Sequence, residues 1–400
     1  MARITIVDSI MGSGKTSWAI QHIDEMPSDC KVIYITPYLA EVERVISSVK
    51  TRTFEQPSND NREGRKLHGL KQLIARGANI VATHSLFKSA DDELIDLLEE
   101  SGYVLFLDEV MDVIEPVKIS PKDITILLRS GYINIRENRV VWIADDYEEG
   151  RFHDIMMKAK AGNLYYHRDR FLIWSFPAHI FRGFKDAYVL TYLFEGQIQR
   201  YYFDANRLEY EYRAVSQVEG MYVLTYYDVR NEDRDTVMRL IDLYEGKLND
   251  VGEMRSAFGA NNLRNSDDKK VRQIKANQYN YLRNICNAKG SEIIWTTLQE
   301  MRQKFKGSGY AESFVEWNAR ATNQYAERYV MSYLFNRFMN PFERSFFEDR
   351  GVTINEDLLA VSDLLQWVWR SRIRNGQPIK LYLPSRRMRE LLIKWSNYEL

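Results

Sequence analysis

The chain has 400 residues, 45% of them apolar, which is enough to bury two cores of ordinary domain size. Its 55 basic and 56 acidic side chains balance, so no global field draws in a polyanion, and any nucleic-acid contact must come from local patches. Cys30 and Cys286 are too few and too distant for a disulfide framework or zinc knuckle, and no apolar run approaches the roughly 18 residues of a membrane helix. A cytoplasmic protein without membrane contact is expected.

Residues 3–7 are β-branched and apolar, and predict a strand covered on both faces. That strand runs into Ser9-Ile10-Met11-Gly12-Ser13-Gly14-Lys15-Thr16, after which a helix can begin. Strand, glycine turn and helix is the setting a phosphate-binding loop requires. The N–H groups of Met11 to Ser17 would cradle phosphate oxygens, Lys15 would reach the β- and γ-phosphates, and Thr16 would hold Mg²⁺. ATP with Mg²⁺ is the expected ligand. The first position of the loop, ordinarily Gly, is Ser9.

Strand-like runs at 31–36, 79–83, 103–108, 140–144, 171–174 and 187–193 alternate with helical segments, which predicts a mostly parallel sheet flanked by helices. The run at 104–107 ends in Asp108 and Glu109, a metal-holding carboxylate followed by one that orients or deprotonates the attacking water. From Gly196 the texture becomes tyrosine-rich, and a hairpin turning at 204–206 is expected. The unit boundary is placed there, giving 1–205 and 206–400. Beyond it the pattern predicts helices over 231–248, 267–288 and 354–374, with strands over 292–297, 313–317 and 379–383.

In order along the chain, these segments resemble the superfamily 2 helicases of the DEAD and DEAH type. Residues 9–16 match motif I of that family. Thr36-Pro37 looks like motif Ia, residues 80–86 like the next backbone-contacting loop, and Asp108-Glu109-Val110-Met111 stands where Asp-Glu-Ala-Asp is usual. Residues 189–192 sit at motif III and residues 293–297 at motif IV. Ala319-Arg320-Ala321-Thr322-Asn323 is similar to motif V, and residues 366–374 to motif VI.

The resemblance implies an α/β fold of two tandem RecA-like P-loop NTPase domains with mostly parallel sheets, and a nucleic-acid-dependent ATPase that moves along or unwinds DNA. It assigns catalytic roles to Lys15, Asp108, Glu109, Gln366, Arg370 and Arg374, with Arg372 as the competing finger because Ile373 occupies the family's second arginine slot. Thr36, Pro37, Thr83, Arg320 and Thr322 would contact the nucleic acid. Single-stranded or forked DNA is the expected partner, RNA the alternative, for a monomer working with replication or recombination proteins. Residues 381–389 are similar to those of small helicase-like proteins of bacteriophages. An insertion over 116–183 is implied, either a strand-separating or partner-binding element or a solvated helical elaboration. Two other classes remain open: a loading factor that does not unwind, and a nucleoside kinase, whose zinc-binding cysteines are missing here. The basic run from Arg386 to Lys394 is either a phosphate-tracking surface or a solvated face. Trp295, Trp317, Trp367 and Trp369 are expected mostly in the core.

Overall fold

The computed structural model describes residues 3–58, 66–147, 150–318 and 323–400. Apolar runs in the first hundred or so residues form β1 (Arg3–Asp8), β2 (Val32–Thr36), β3 (Phe54–Glu55), β4 (Asn79–Thr83) and β5 (Val104–Asp108). The chain then builds β6 (Ile114–Pro116), β7 (Ile133–Arg136), β8 (Arg139–Trp142), β9 (Leu164–His167) and β10 (Phe171–Ser175). It returns as β11 (Asp186–Thr191), β12 (Tyr210–Val218) and β13 (Met221–Tyr226). The first sheet has the order β13-β12-β1-β11-β5-β2-β4-β3, parallel throughout except for the β12–β13 hairpin. A second sheet of β14 (Ile241–Leu243), β15 (Ile293–Thr296), β16 (Val330–Tyr333) and β17 (Ile379–Tyr382) is parallel in the order β14-β17-β16-β15. No helix among the described residues is long and apolar enough to cross a membrane.

Several expectations are corrected. The runs at 140–144 and 171–174 are strands, but they belong to an antiparallel sheet of order β6-β10-β9-β8-β7 rather than to the parallel one. The cause is local: Glu137 and Asn138 both take positive φ (49° and 65°), a two-residue turn that can only join antiparallel neighbours. The insertion is therefore a small sheet domain packed on Ile124, Leu127, Val140 and Trp142, not a helical elaboration. Residues 204–206 do not turn a hairpin. They close the helix Ile198–Ala205, whose Tyr201, Tyr202 and Phe203 are all buried, and the hairpin turns at Glu219 and Gly220 instead. Since β12 and β13 extend the first sheet, the chain leaves that sheet after Tyr226 and not at residue 205. The helix expected over 231–248 gives way after Arg234–Arg239 to β14, and the strand expected over 313–317 is reduced to one bridge, Trp295 to Phe314.

The two sheets are locked together by the segment that leads to the site. Phe346, Phe347 and Leu359 join the apolar cluster of Ile4, Leu105 and Val189, each phenylalanine contributing about 1.5–3 kcal/mol by its burial. Asn355 accepts from Tyr201 Oη at 3.0 Å, and Gln197 Nε2 donates to Ser362 Oγ at 2.6 Å. Gly196 meets the Leu358 backbone so closely that a Cβ there would lie 2.6 Å from a carbonyl carbon. These contacts fix the helix Glu356–Val368 by its first half. Its far end then overhangs the glycine loop, with Trp369 Nε1 3.7 Å from where a Cβ of Gly12 would stand.

Candidate functional site

β1, buried from Ile4 to Asp8, delivers the loop at its end, and helix α1 (Lys15–Glu25) starts directly after it. Gly12 and Gly14 have φ of 83° and 92°, where a side chain would be strained, so the turn depends on these two glycines. Ser9, in place of the usual Gly, secures the loop to the sheet, since its Oγ accepts from Val215 N of β12 at 2.8 Å. Lys15 is buried and donates to the carbonyls of Ser9 at 2.5 Å and Ile10 at 3.2 Å. Burial pulls its ammonium pKa downwards, against the fields of Glu109, Asp8 and Asp108.

β5 ends opposite. Asp108 Oδ2 accepts from Tyr34 Oη at 2.9 Å and lies 3.5 Å from Thr16 Oγ1, while His84 Nε2 bonds its main-chain oxygen at 2.9 Å. Burial, with Glu109 beside it, pushes the Asp108 carboxyl up to about 7, and the Tyr34 hydrogen bond opposes that rise. Glu109 has φ 64°, a strained backbone for a non-glycine residue, held by its N–H to Leu190 O at 2.9 Å. Asp8, just before the loop, is buried, pushed up to about 7 by that burial, and accepts at 2.8 Å from the N–H groups of both Leu193 and Phe194.

The facing wall comes from the second sheet's helix and the turn after it. A cleft of about 380 Å³ is lined on one side by Lys15, Thr16, Asp108 and Glu109, and on the other by Gln366, Trp369, Arg370 and Arg374. Arg370 is only 4% exposed and reaches Glu316 O at 3.3 Å, while its Nε and Gln366 Nε2 are buried without a hydrogen-bond partner among the described residues. Burial lowers the Arg370 pKa to about 10, which leaves it a cation at neutral pH. Arg372 is used elsewhere: its guanidinium lies 4.2 Å over the Tyr329 ring and its Nε donates to Pro378 O at 2.7 Å.

The structure brings the loop, the acidic pair and the distal arginines together. It treats the nucleic-acid candidates differently. Thr36, expected on a polynucleotide backbone, is fully buried with its hydroxyl turned inside, and with Pro37 it lines the cleft. It ends β2 in register with half-buried Thr83. Arg320 and Thr322 lie outside the described residues. Within the basic carboxy-terminal run the three arginines are ion-paired, as Arg387–Asp357, Arg389–Glu253 and Arg386–Glu390. Trp295 and Trp367 are fully buried. Sequence inspection missed Tyr34, His84, Asp8 and Tyr222, for which no motif signals a role.

The SPbeta prophage-derived protein YonV of Bacillus subtilis (strain 168) is 39% identical over 409 residues, covering 99% of both chains. The chain belongs to the YonV family. Residues 114–174 match the YonV middle domain, which is the antiparallel sheet, and residues 235–396 match the YonV C-terminal Rossmann-like domain. Among solved structures, one described as XPD_Helicase aligns over 100% of this chain and 95% of its own, with a TM-score of 0.52 at 12% identity. The S. tokodaii Xpd4 structure covers 98% of this chain and 94% of its own, with a TM-score of 0.46 at 12% identity. The fold is thus α/β with two tandem RecA-like units and mostly parallel sheets, as in XPD-type helicases.

The raised carboxyls make a pH test of the site. A native pKa above the unfolded value of 3.8 favours the protonated form in the folded chain. That contribution is complete below about pH 4 and is lost as pH climbs through about 7. Asp108→Asn keeps a Tyr34 acceptor and removes the charge, so it is expected to raise the unfolding midpoint near pH 8 and leave it nearly unchanged near pH 4. A midpoint lowered equally at both values would make the carboxylate a net support of the fold.

Proposed function

We propose that this YonV-family chain is a nucleic-acid-dependent ATPase of the superfamily 2 type, hydrolysing ATP between two RecA-like units, residues 1–226 with the insertion and 227–400, to translocate along or unwind DNA. One observation carries this reading: the glycine loop and the Asp108-Glu109 pair face a buried arginine whose Nε has no hydrogen-bond partner among the described residues. A buried guanidinium with an unsatisfied N–H is costly, and a polyphosphate is a ligand that would satisfy it. The residues also suit Mg²⁺. Among the described residues no cluster of three His, Cys, Asp or Glu could hold a metal ion, and Mg²⁺ with a nucleotide needs only one or two protein ligands beside phosphates. Thr16 and Asp108, 3.5 Å apart, would hold it, and the ion would neutralise charge on the terminal phosphates.

In this scheme Lys15 leaves the Ser9 and Ile10 carbonyls for the β- and γ-phosphates, Glu109 orients the attacking water, and Gln366, Arg370 and Arg374 complete the site across the cleft. Steady-state hydrolysis is expected to rise on addition of single-stranded DNA and to fall to background in Lys15→Ala; equal turnover with and without polynucleotide would count against the proposal. A loading factor that hydrolyses ATP without parting strands is the second reading, favoured by the ion-paired state of Arg386, Arg387 and Arg389. Strand displacement from a forked duplex at saturating ATP would exclude it.

A further inference from the structure

We infer that Tyr222 is the platform on which the base of the bound nucleotide stacks. This rests on the nucleotide reading of the cleft and adds the recognition of the nucleoside end. The sheet order supplies the direction. Asp108 and Glu109 follow β5, two strands from β1 on one side, whereas Tyr222 lies on β13, two strands from β1 on the other. A triphosphate whose terminal phosphate is drawn to Thr16, Asp108 and Arg370 therefore points its nucleoside towards the β13 side of the loop, where Tyr222 lines the cleft against Gly14.

The ring is seated and held. A Cβ on Gly14 would fall 2.1 Å from Tyr222 Cε1, so the ring rests on bare loop backbone and needs glycine beneath it. The Tyr222 main chain is clamped at both of its polar groups by one side chain of α1: its N–H donates to Gln21 Oε1 at 3.0 Å, and its carbonyl accepts from Gln21 Nε2 at 3.3 Å. Ser9 Oγ pins the other strand of the hairpin through Val215 N. Tyr212, in the same hairpin, packs against Tyr210 and Tyr227, whereas Tyr222 pairs with no ring among the described residues. A held aromatic that lines the cleft, packed at its base against the apolar cluster of Val7, Trp18 and Val215 and stacked on no other ring among the described residues, is suited to receive a flat ligand. Stacking reads the face of a base and not its edge, so ATP and GTP are expected to bind within a few-fold of each other.

The test is calorimetric titration of the full chain with Mg²⁺, using ATP and inorganic tripolyphosphate as the two probes. Tyr222→Ala is expected to weaken ATP roughly five- to hundredfold, the worth of one stacked base, and to leave tripolyphosphate unchanged. Tyr222→Phe should keep both affinities. Tyr222→Leu fills the space over Gly14 without an aromatic face and should behave like the alanine variant even if alanine loosens the loop. Equal loss of both probes in the leucine variant, or loss of neither, overturns the inference while the nucleotide site stands. A wild-type chain that binds neither probe overturns the nucleotide reading and this inference with it.

Discussion

Arg370→Ala is expected to lower DNA-stimulated ATP turnover by about 10³-fold or more, with ATP binding changed far less. A guanidinium across the cleft acts on charge that develops as the γ-phosphoryl leaves, so its effect falls on kcat and hardly on ground-state affinity. The surroundings of Arg370 suit that role. Among the described residues its side chain is fixed by burial and one long hydrogen bond to Glu316 O, and its Nε is left unsatisfied. Removing a buried cation with so little compensation should leave thermal stability unchanged or raised, which separates a catalytic loss from misfolding. Lysine should not rescue, because a point charge cannot reproduce the planar fork. Arg372→Ala is the internal control: that guanidinium braces Tyr329 and Pro378, so turnover should stay within a few-fold. A turnover loss greater in Arg372→Ala than in Arg370→Ala would transfer the finger to the neighbouring residue.

The features legible in the sequence were those whose chemistry is local. A glycine-rich turn between an apolar strand and a helix states its own geometry, and so does an apolar strand ending in two acids; both stand where expected. The partition of strands between sheets was not legible, because residues 140–144 and 171–174 are as apolar as parallel strands and differ only in the turns that join them. Tyrosine alternation misled in the same way. Residues 199–203 have the composition of a strand, but the first sheet already has partners on both sides of β1, and the segment becomes a helix with three consecutive aromatics buried. Ser9 read as a defect in the loop only because its bond to Val215 spans more than two hundred residues. Tyr34 is similar: its hydroxyl reaches Asp108 from a neighbouring strand, and nothing in the run Val32–Thr36 distinguishes it from a core tyrosine.

Glu109→Gln tests the other wall of the cleft, and it should separate binding from chemistry more sharply than any change in the loop. Glutamine keeps the volume and the hydrogen-bonding reach of the side chain, and it can keep the left-handed backbone at φ 64° with the same Leu190 contact. It loses only the carboxylate that would accept or orient the water's proton, so turnover is expected to fall roughly 10²- to 10⁴-fold while Mg²⁺-ATP still binds. Affinity for the nucleotide should even rise slightly, since a negative charge near the γ-phosphate is gone. Asp108→Asn should differ in kind, because that residue stands next to Thr16: its variant should lose Mg²⁺-dependent affinity as well as rate. The strain at residue 109 gives a further discriminant. Glu109→Gly would relieve the left-handed backbone and is expected to match glutamine in lost turnover while gaining stability. If the glutamine variant hydrolysed at the wild-type rate, the strained conformation would have no catalytic purpose, and the base would have to be sought among the other groups that reach the cleft, with Glu41 the nearest carboxylate in kind.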